Sequence, residues 1–276
     1  NRLIYKYLMI NLPKTERILL EVKDDWLTLS FNHLESRNAL SQQLTDEVRL
    51  TLESIKDDKS IRGITFRGEG GIFCAGGDLK SFKSGFHGDK NNIGDVVKLS
   101  ESTGEFFELI NTIPKPVIML AEGAAMAGGL GMLCAADIVI VTADCKFALT
   151  ETTLGIVPAQ IAPYVVSRVG LSKARRLMLT ASRFTGKEAC EYGIADFVAE
   201  NPDDLRRIES EVKKNILKCA PGANSITKEI VLATRNLDKN SLVKFAAQGF
   251  ANSMMSDEGK EGIAAFVEKR KPKWSE

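Results

Sequence analysis

The sequence is poor in histidine, lacks paired cysteine motifs and has no long apolar run. It has two histidines, His33 and His87, and both lie in polar stretches that form no triad with a nucleophile. The five cysteines are odd in number and share no CxxC spacing, so we expect neither a disulfide framework nor a metal site. No apolar stretch approaches the ~20 residues that cross a bilayer, and we recognise no signal peptide. These absences favour a cytoplasmic protein with no membrane partner.

An excess of charge of either sign is also missing. Lysine and arginine total 37, aspartate and glutamate total 36, and the formal net charge is +1. Nucleic-acid-binding domains usually carry a clear basic excess, so this balance argues against a nucleic-acid partner. Hydrophobic residues make up 44% of the 276 residues, which is enough for one large core.

The apolar pattern predicts an α/β domain followed by a helical tail. Alternation around Asp24 and Asp25 predicts a hairpin, and Ser41 is expected to cap the first helix. Strands and helices then alternate, with a capping box of Thr185 and Glu188 before one of the helices. The predicted strands are residues 18–31 as a hairpin, 61–67, 117–120, 137–142 and 194–198. The predicted helices are residues 41–55, 99–113, 130–136, 161–169, 172–180 capped by Ser172, 187–192, 203–219, 223–234, 241–254 and 260–269. Residues 84–97 are polar and predict a mobile loop.

Two glycine-rich turns precede predicted helices. In residues 68–82 the sequence FCAGGDL contains Gly77, and in residues 123–129 the sequence GAAMAGG contains Gly128. Backbone N–H groups in the first turn of a helix lack internal partners, and glycine lets a ligand oxygen approach them closely. Gly77, Gly128 and Gly129 are therefore candidate donors to an anion.

One carboxylate stands among apolar neighbours. Glu151 follows the predicted strand 137–142 and is flanked by Leu149, Leu154 and Ile156. Burial of a carboxylate disfavours its charged form and raises its pKa, which suits proton transfer near neutral pH. Glu151 is the candidate acid–base residue.

These residues together resemble the crotonase, or enoyl-CoA hydratase/isomerase, superfamily. The resemblance rests on FCAGGDL, KPVI with EGAAMAGG, AADI, FALTETTLGIVP and the closing FVEKRKP, in that order along the chain. It implies a spiral of ββα repeats in residues 15–202, an extension in residues 1–14, and a helical trimerisation region in residues 203–276. It also implies an acyl-CoA thioester substrate, an oxyanion hole formed by the Gly77 and Gly128 N–H groups, and homotrimers that often pair into hexamers.

The sequence departs from the family pattern at Gly131. Hydratases of the family commonly carry two glutamates; the second falls on Glu151, and the first falls on Gly131, which has no side chain. With this glycine, residues 158–184 and the KRKPKW ending, the chain is most similar to isohexenylglutaconyl-CoA and 3-methylglutaconyl-CoA hydratases of acyclic terpene and leucine breakdown. One alternative is a Δ3,Δ2-enoyl-CoA isomerase, which needs a single carboxylate. The other, from a different class, is a non-catalytic or RNA-binding protein of the same fold.

The resemblance also suggests where coenzyme A would bind. Its adenine would lie near residues 37–39 and 75–77, and its phosphates near Arg37 and the basic residues 269–271, which another subunit could supply. The candidate binding residues are Arg37, Ala39, Ala75, Gly76, Gly77, Gly128, Lys269 and Lys271, with Gln160 as a partner for a distal carboxylate. No further cofactor is expected, because coenzyme A is part of the substrate.

Overall fold

A six-stranded sheet forms the centre of the protein. The computed structural model describes residues 11–78 and 92–275. The strands of this sheet run in the order β1-β2-β3-β4-β6-β9. The β1–β2 pair is antiparallel, and β2, β3, β4, β6 and β9 are parallel. Their bounds are Ile18–Lys23 for β1, Trp26–Phe31 for β2, Gly63–Gly68 for β3, Val117–Ala121 for β4, Ile138–Thr142 for β6 and Phe197–Ala199 for β9.

A second, three-stranded sheet lies beyond the carboxyl ends of β4 and β6. It consists of β5 (Ala124–Met126), β7 (Lys146–Ala148) and β8 (Phe184–Thr185). Strand β5 pairs with β7 in parallel, and β7 pairs with β8 antiparallel. The sequence pattern did not predict this sheet, because each of its strands has only two or three residues and shows no alternation.

Helices cover the sheets and form the end of the chain. Their bounds are α1 Gln42–Ile55, α2 Ile93–Thr112, α3 Gly128–Ala135, α4 Ala162–Val169, α5 Leu171–Thr180, α6 Gly186–Tyr192, α7 Pro202–Leu217, α8 Pro221–Ala233, α9 Lys239–Met255 and α10 Asp257–Val267. Short 3₁₀ turns occur at Leu34–Ser36, Glu151–Leu154 and Lys273–Ser275. Among the described residues, no helix is long and apolar enough to cross a membrane.

The core has two parts, one on each face of the central sheet. The larger part includes Leu27, Leu29, Phe66 and Met119, which pack with α1, α2 and α3. On the other side, Trp26, Ile118, Leu120 and Ile140 pack with α7. Neighbouring side chains of a strand point to opposite faces, so the nearly continuous apolar strands are buried on both sides.

Several predicted local features are confirmed. Asp24 and Asp25 both have positive φ at the turn of the β1–β2 hairpin. The Ser41 side chain accepts a hydrogen bond from the Leu44 N–H at the start of α1. Thr185 and the α6 residue Glu188 form the expected capping box. The α/β class is confirmed, whereas the division of the chain at residues 14 and 202 stays a prediction.

Other boundaries were predicted wrongly. Helix α2 begins at Ile93, because the Asn92 side chain caps it by accepting from the Asp95 N–H, so residues 93–97 are helical and not loop. The rest of that predicted loop, up to residue 91, lies outside the described residues. The N-cap of α5 is Gly170, which has no side chain to cap the helix, and not Ser172. Ser172 lies inside the first turn of the helix. Strand β9 begins only at Phe197, because residues 193–195 bond back to α6.

Candidate active site

Three backbone segments run side by side and end at the same edge. Cys74 forms a parallel bridge with Ala125 of β5, and Ala125 is in register with Phe147 of β7. Continuing in the same direction, the first segment reaches Gly77, the second reaches Gly128 and the third reaches Glu151. The unpredicted second sheet is thus the element that brings the predicted donors and the predicted carboxylate to one edge.

The first donor turn requires glycine. Gly76 has φ +100°, and a Cβ there would lie 3.1 Å from the Met126 carbonyl oxygen and 3.2 Å from the Ala127 Cβ. The Gly76 carbonyl accepts from the Leu40 N–H at 2.8 Å. Among the described residues, the Gly77 N–H donates to no backbone carbonyl. The turn therefore lies directly against the residues that precede α3.

The second donor turn is the N-terminus of α3. Ala127 has φ 46° and donates its N–H to the Ala148 carbonyl at 2.8 Å, which joins β5 to β7 at this point. The helix begins at Gly128, two residues before the predicted start, and its first internal bond runs from the Gly131 N–H to the Ala127 carbonyl. The N–H of Gly128 is consequently among the first-turn amides without an internal acceptor.

The close approach of Leu40 explains why α3 starts with small residues. A Cβ on Gly128 would lie 3.0 Å from the Leu40 Cδ1 and 3.9 Å from the Phe107 Cζ. Leu40 also forms a parallel bridge with Gly77, so its backbone contacts one donor turn and its side chain contacts the other. Sequence reasoning missed Leu40 and Phe107, because neither residue carries a chemical signal of its own.

Glu151 has the electrostatic environment that the sequence predicted. It opens the 3₁₀ turn Glu151–Leu154, three residues after the last residue of β7. Within the described residues, its Oε2 is buried and has no hydrogen-bond partner. Burial raises the pKa of Glu151, although a backbone hydrogen bond acts in the opposite direction. Of the expected apolar flanks only Leu149 is buried, whereas Leu154 and Ile156 are about half exposed.

The position of Gly131 is filled by an apolar side chain. A Cβ on Gly131 would lie 2.2 Å from the Ile161 Cγ2 and 3.4 Å from the Phe107 Cε1. Ile161 and Phe107 are both fully buried. Ile161 and Phe107 therefore fill the space beside Gly131, and no room is left there for water. A side chain at position 131 would have to displace these two buried residues.

The candidate coenzyme A residues fall into two groups. Arg37 and Ala39 lie beside Ala75 and Gly76, because the Ala75 N–H donates to the Arg37 carbonyl at 3.0 Å. Arg37 is exposed and has φ 54°, so its backbone turns sharply beside the first donor turn.

The basic residues at the end of the chain lie elsewhere. Lys269 and Lys271 are exposed and precede Trp274, whose carbonyl accepts from Arg62 at the amino end of β3. They therefore lie near the amino ends of the parallel strands, whereas Glu151 of the same chain lies beyond the carboxyl ends. Gln160 donates its side-chain N–H to the Ser100 Oγ of α2 at 2.9 Å.

Comparison with known proteins places these features in a family. The sequence model described as "Enoyl-CoA hydratase/isomerase" matches residues 23–276. A probable enoyl-CoA hydratase of Bacillus subtilis (strain 168) is 31% identical over 252 residues, or 91% of this chain and 96% of that protein. The mitochondrial methylglutaconyl-CoA hydratase of Mus musculus is 29% identical over 253 residues, or 90% of this chain and 79% of that protein.

Solved structures agree with the sequence matches. The structure of Pseudomonas aeruginosa AtuE is 40% identical, with a TM-score of 0.91, and covers 95% of this chain and 100% of that one. A match of this extent confirms the crotonase fold. Because the family pattern spans the donor turns, Glu151 and the helical tail alike, the chain is a member of the enoyl-CoA hydratase/isomerase family.

Proposed function

We propose that the enzyme adds water to a β-branched glutaconyl-CoA thioester, such as 3-methylglutaconyl-CoA or its isohexenyl homologue. The observation that carries this proposal is the arrangement of Gly77, Gly128 and Glu151 at one edge of three paired segments. The choice of acyl chain is supported by the similarity to methylglutaconyl-CoA hydratase.

The two amides would act on the thioester carbonyl. As water adds to Cβ, negative charge builds on the carbonyl oxygen and gives an enolate. N–H groups aimed at this oxygen stabilise the charge more strongly than they stabilise the neutral substrate, and the loss of one such donor typically costs ~3 kcal/mol of transition-state stabilisation. Because both donors are main-chain groups, their loss cannot be tested by truncating a side chain.

Glu151 would move the proton alone. Its carboxylate takes a proton from water while the water oxygen bonds to Cβ, and the protonated acid then returns that proton to Cα of the enolate. Atoms balance, since one water is added across the double bond and Glu151 ends as it began. The raised pKa of Glu151 makes its carboxylate a stronger base and brings the pKa closer to the working pH, which favours proton transfer in both directions. A mechanism with a single carboxylate agrees with the apolar surroundings of Gly131, which provide no second carboxylate at that position.

Binding of the rest of the substrate follows from the remaining residues. We place the adenine near Arg37, Ala39 and Ala75. Lys269 and Lys271 would contact the phosphates from a neighbouring subunit, because within one chain they lie toward the other edge of the sheet. Gln160 keeps a second side-chain N–H beyond the one bound to Ser100, and this would face a distal carboxylate.

A substrate assay tests the proposal. Purified enzyme is incubated with 3-methylglutaconyl-CoA and with its isohexenyl homologue in H₂¹⁸O, and the conjugated enoyl absorbance and product mass are followed. Loss of absorbance with one ¹⁸O atom gained is expected. No loss with either substrate would overturn the proposed substrate class.

The same assay separates hydration from isomerisation. A 3-enoyl-CoA is supplied in H₂¹⁸O, and the product is analysed by mass. Conversion to the 2-enoyl thioester without a gain of solvent oxygen, with no turnover of the glutaconyl thioesters, would instead assign the isomerase activity. The single carboxylate at the site is compatible with that chemistry, since it requires only proton transfer between Cα and Cγ.

A further inference from the structure

Cys74 lies between the two donor turns and contacts both. It is completely buried. Its N–H donates to the Ala124 carbonyl at 3.0 Å, and its carbonyl accepts from the Met126 N–H at 3.0 Å. These two bonds fix the main chain of Cys74 to β5. Cys74 precedes Gly77 by three residues, and the β5 residues that it contacts directly precede the Gly128 turn.

The thiol of Cys74 holds the first turn. Its Sγ accepts from the Gly76 N–H at 3.4 Å and lies 3.8 Å from the Gly76 carbonyl oxygen. Gly76 is buried and has φ +100°, so its amide would otherwise be a buried donor in an unusual conformation. The next amide along the chain is that of Gly77, and its direction depends on this turn.

The other side of Cys74 is packed against the second turn. A Cβ on Gly129 would lie 2.8 Å from the Cys74 Cβ and 3.1 Å from its Sγ. Gly129 therefore has no room for a side chain because Cys74 is there. The same Cβ would lie 2.9 Å from the Cys74 carbonyl oxygen, so the side chain and main chain of Cys74 together fill the space between Gly129 and the Gly76–Gly77 turn.

We infer that Cys74 is a positioning residue that fixes the spacing and direction of the Gly77 and Gly128 N–H groups. This inference rests on the proposed role of those amides in binding the thioester oxygen. The thiol does not react, because burial raises its pKa to about 12 and keeps it neutral. Its role is to accept the Gly76 N–H and to fill the gap between the turns.

Steady-state kinetics give the first test, with a cysteine elsewhere as control. Cys74→Ala removes the acceptor and the spacer, so we expect kcat to fall by about tenfold or more while KM changes little. Cys74→Ser keeps an acceptor of similar size and is expected to retain kcat within about threefold of wild type. Cys145→Ala is the control, since Cys145 is equally buried but lies in the turn before β7, at its amino end.

These kinetics can contradict the inference. Equal kcat values for Cys74→Ala and wild type would overturn it. So would equal losses in Cys74→Ala and Cys145→Ala, because a loss common to both reflects stability alone. If Cys74→Ala does not fold, Gly129→Ala replaces it, since its methyl group would press on Cys74 and separate the turns.

The carbonyl stretch of a bound thioester gives a second test that separates this inference from the proposed function. Crotonyl-CoA labelled with ¹³C at the thioester carbonyl is bound to Glu151→Gln, which prevents turnover, and to the same variant with Cys74→Ala or Cys74→Ser. We expect a shift to lower frequency on binding, smaller in the alanine variant and preserved in the serine variant.

Each outcome of the infrared measurement has a definite meaning. No shift in Glu151→Gln itself would mean that the amides do not bind the carbonyl, and the proposed role of the donors would fail together with this inference. A normal shift that is identical with and without the Cys74 thiol would overturn the positioning role and leave the proposed function intact.

Discussion

Glu151 is stabilised as an acid by the folded chain. Burial raises its pKa above the ordinary 4.5. At pH values between 4.5 and the raised pKa, the folded state therefore binds more protons than the unfolded state. The resulting stability is fully present below pH 4.5 and is lost as the pH rises through the folded-state value. At neutral pH the buried Oε2, which has no hydrogen-bond partner among the described residues, therefore destabilises the folded state.

We predict that Glu151→Gln is more stable than wild type at pH 7, by about 1 kcal/mol at most, because glutamine is neutral and avoids this cost. The advantage should shrink as the pH approaches 4.5, where wild type also becomes protonated. Thermal melts of both proteins at pH 7.5 and pH 5 measure the difference. A gain of equal size at both pH values would show that the charge of Glu151 is not its cause.

The same substitution should nearly abolish turnover. Without a group that accepts and returns the proton, we expect kcat to fall by at least ~10²-fold while the binding of coenzyme A persists. In wild type, the ionisation that limits kcat/KM on the acid side should lie above the ordinary glutamate range, because the pKa of Glu151 is raised. Titration of coenzyme A binding by calorimetry is the control, and near-normal turnover would assign the proton transfer to another group.

Gly131 and Ile161 form a packing pair whose sizes are matched. Gly131→Ala would gain ~1 kcal/mol of helix propensity, but its methyl group would lie 2.2 Å from the Ile161 Cγ2 in a fully buried site. Such overpacking costs about 1–3 kcal/mol, so we expect net destabilisation. Urea denaturation measures it.

A double-mutant cycle and a matched glycine sharpen this prediction. Ile161→Ala removes the clashing Cγ2, so Gly131→Ala with Ile161→Ala should be less destabilised than the sum of the single variants. Gly104→Ala on α2 is the control, because the atoms nearest to its Cβ belong to the flexible Gln160 side chain, which can move away. Additive effects at 131 and 161 would contradict the packing account.

At the scale of the elements, the two aspartates that directly precede β6 and β9 each accept a hydrogen bond from a main-chain N–H near the amino end of the neighbouring strand. Asp137 Oδ2 accepts from the Val117 N–H at 2.8 Å, and Asp196 Oδ2 accepts from the Val139 N–H at 2.8 Å. Each aspartate also has a cation, Lys228 of α8 for the first at 2.7 Å and Arg168 for the second at 2.6 Å. Lys228 thereby ties the helical tail to the amino edge of the central sheet.

We predict that Lys228→Met destabilises the protein by about 1–3 kcal/mol, since it leaves the Asp137 carboxylate without its cation and the Lys115 carbonyl without a donor. Adding Asp137→Asn should recover part of the loss, because asparagine still accepts from Val117 without a charge. Guanidinium denaturation compares the two variants. An unchanged midpoint in Lys228→Met would show that burial of the lysine costs as much as its pairing contributes.

How far the sequence predicts the fold depends on the length of each element. The hairpin, α1 and the strands β3, β4 and β6 were predicted to within two residues, since each gives enough alternation or helical spacing to be read locally. Strands β5, β7 and β8 were missed because two or three residues carry no period. The start of α2 was missed because its first turns face solvent, and an exposed surface does not require apolar residues.

The same distinction applies to the site. Gly77, Gly128 and Glu151 are predicted as site residues because glycine turns and an isolated carboxylate have chemical signals in the sequence, and their roles stay predictions. Leu40 and Phe107 act through contacts with distant parts of the chain, and nothing local reports such contacts. The placement of Gly77, Gly128 and Glu151 at one edge likewise depends on the second sheet, so it required the structure.

At the scale of the whole molecule, the helical tail has an apolar surface that residues 11–78 and 92–275 leave exposed. Phe250 of α9 is 66% exposed and Phe266 of α10 is 85% exposed. Helices α8 and α9 contain no buried residue at all. Several large apolar side chains exposed on neighbouring helices are typical of a protein–protein interface. The tail is therefore the surface on which we expect copies of this chain to associate.

We predict that the native protein is a trimer of about 91 kDa, three times the 30.3 kDa chain, and that Phe250→Asp shifts it toward the monomer, because a charge would be buried at the interface. Light scattering after size exclusion measures the mass. Leu50→Asp on α1, where the leucine is 61% exposed, is the control and should leave the mass unchanged. If Lys269 and Lys271 bind the coenzyme A of a neighbouring subunit, the monomeric variant should also have a higher KM, while kcat, which depends on Glu151, should stay unchanged. A monomeric variant with wild-type KM would confine the binding of coenzyme A to a single chain.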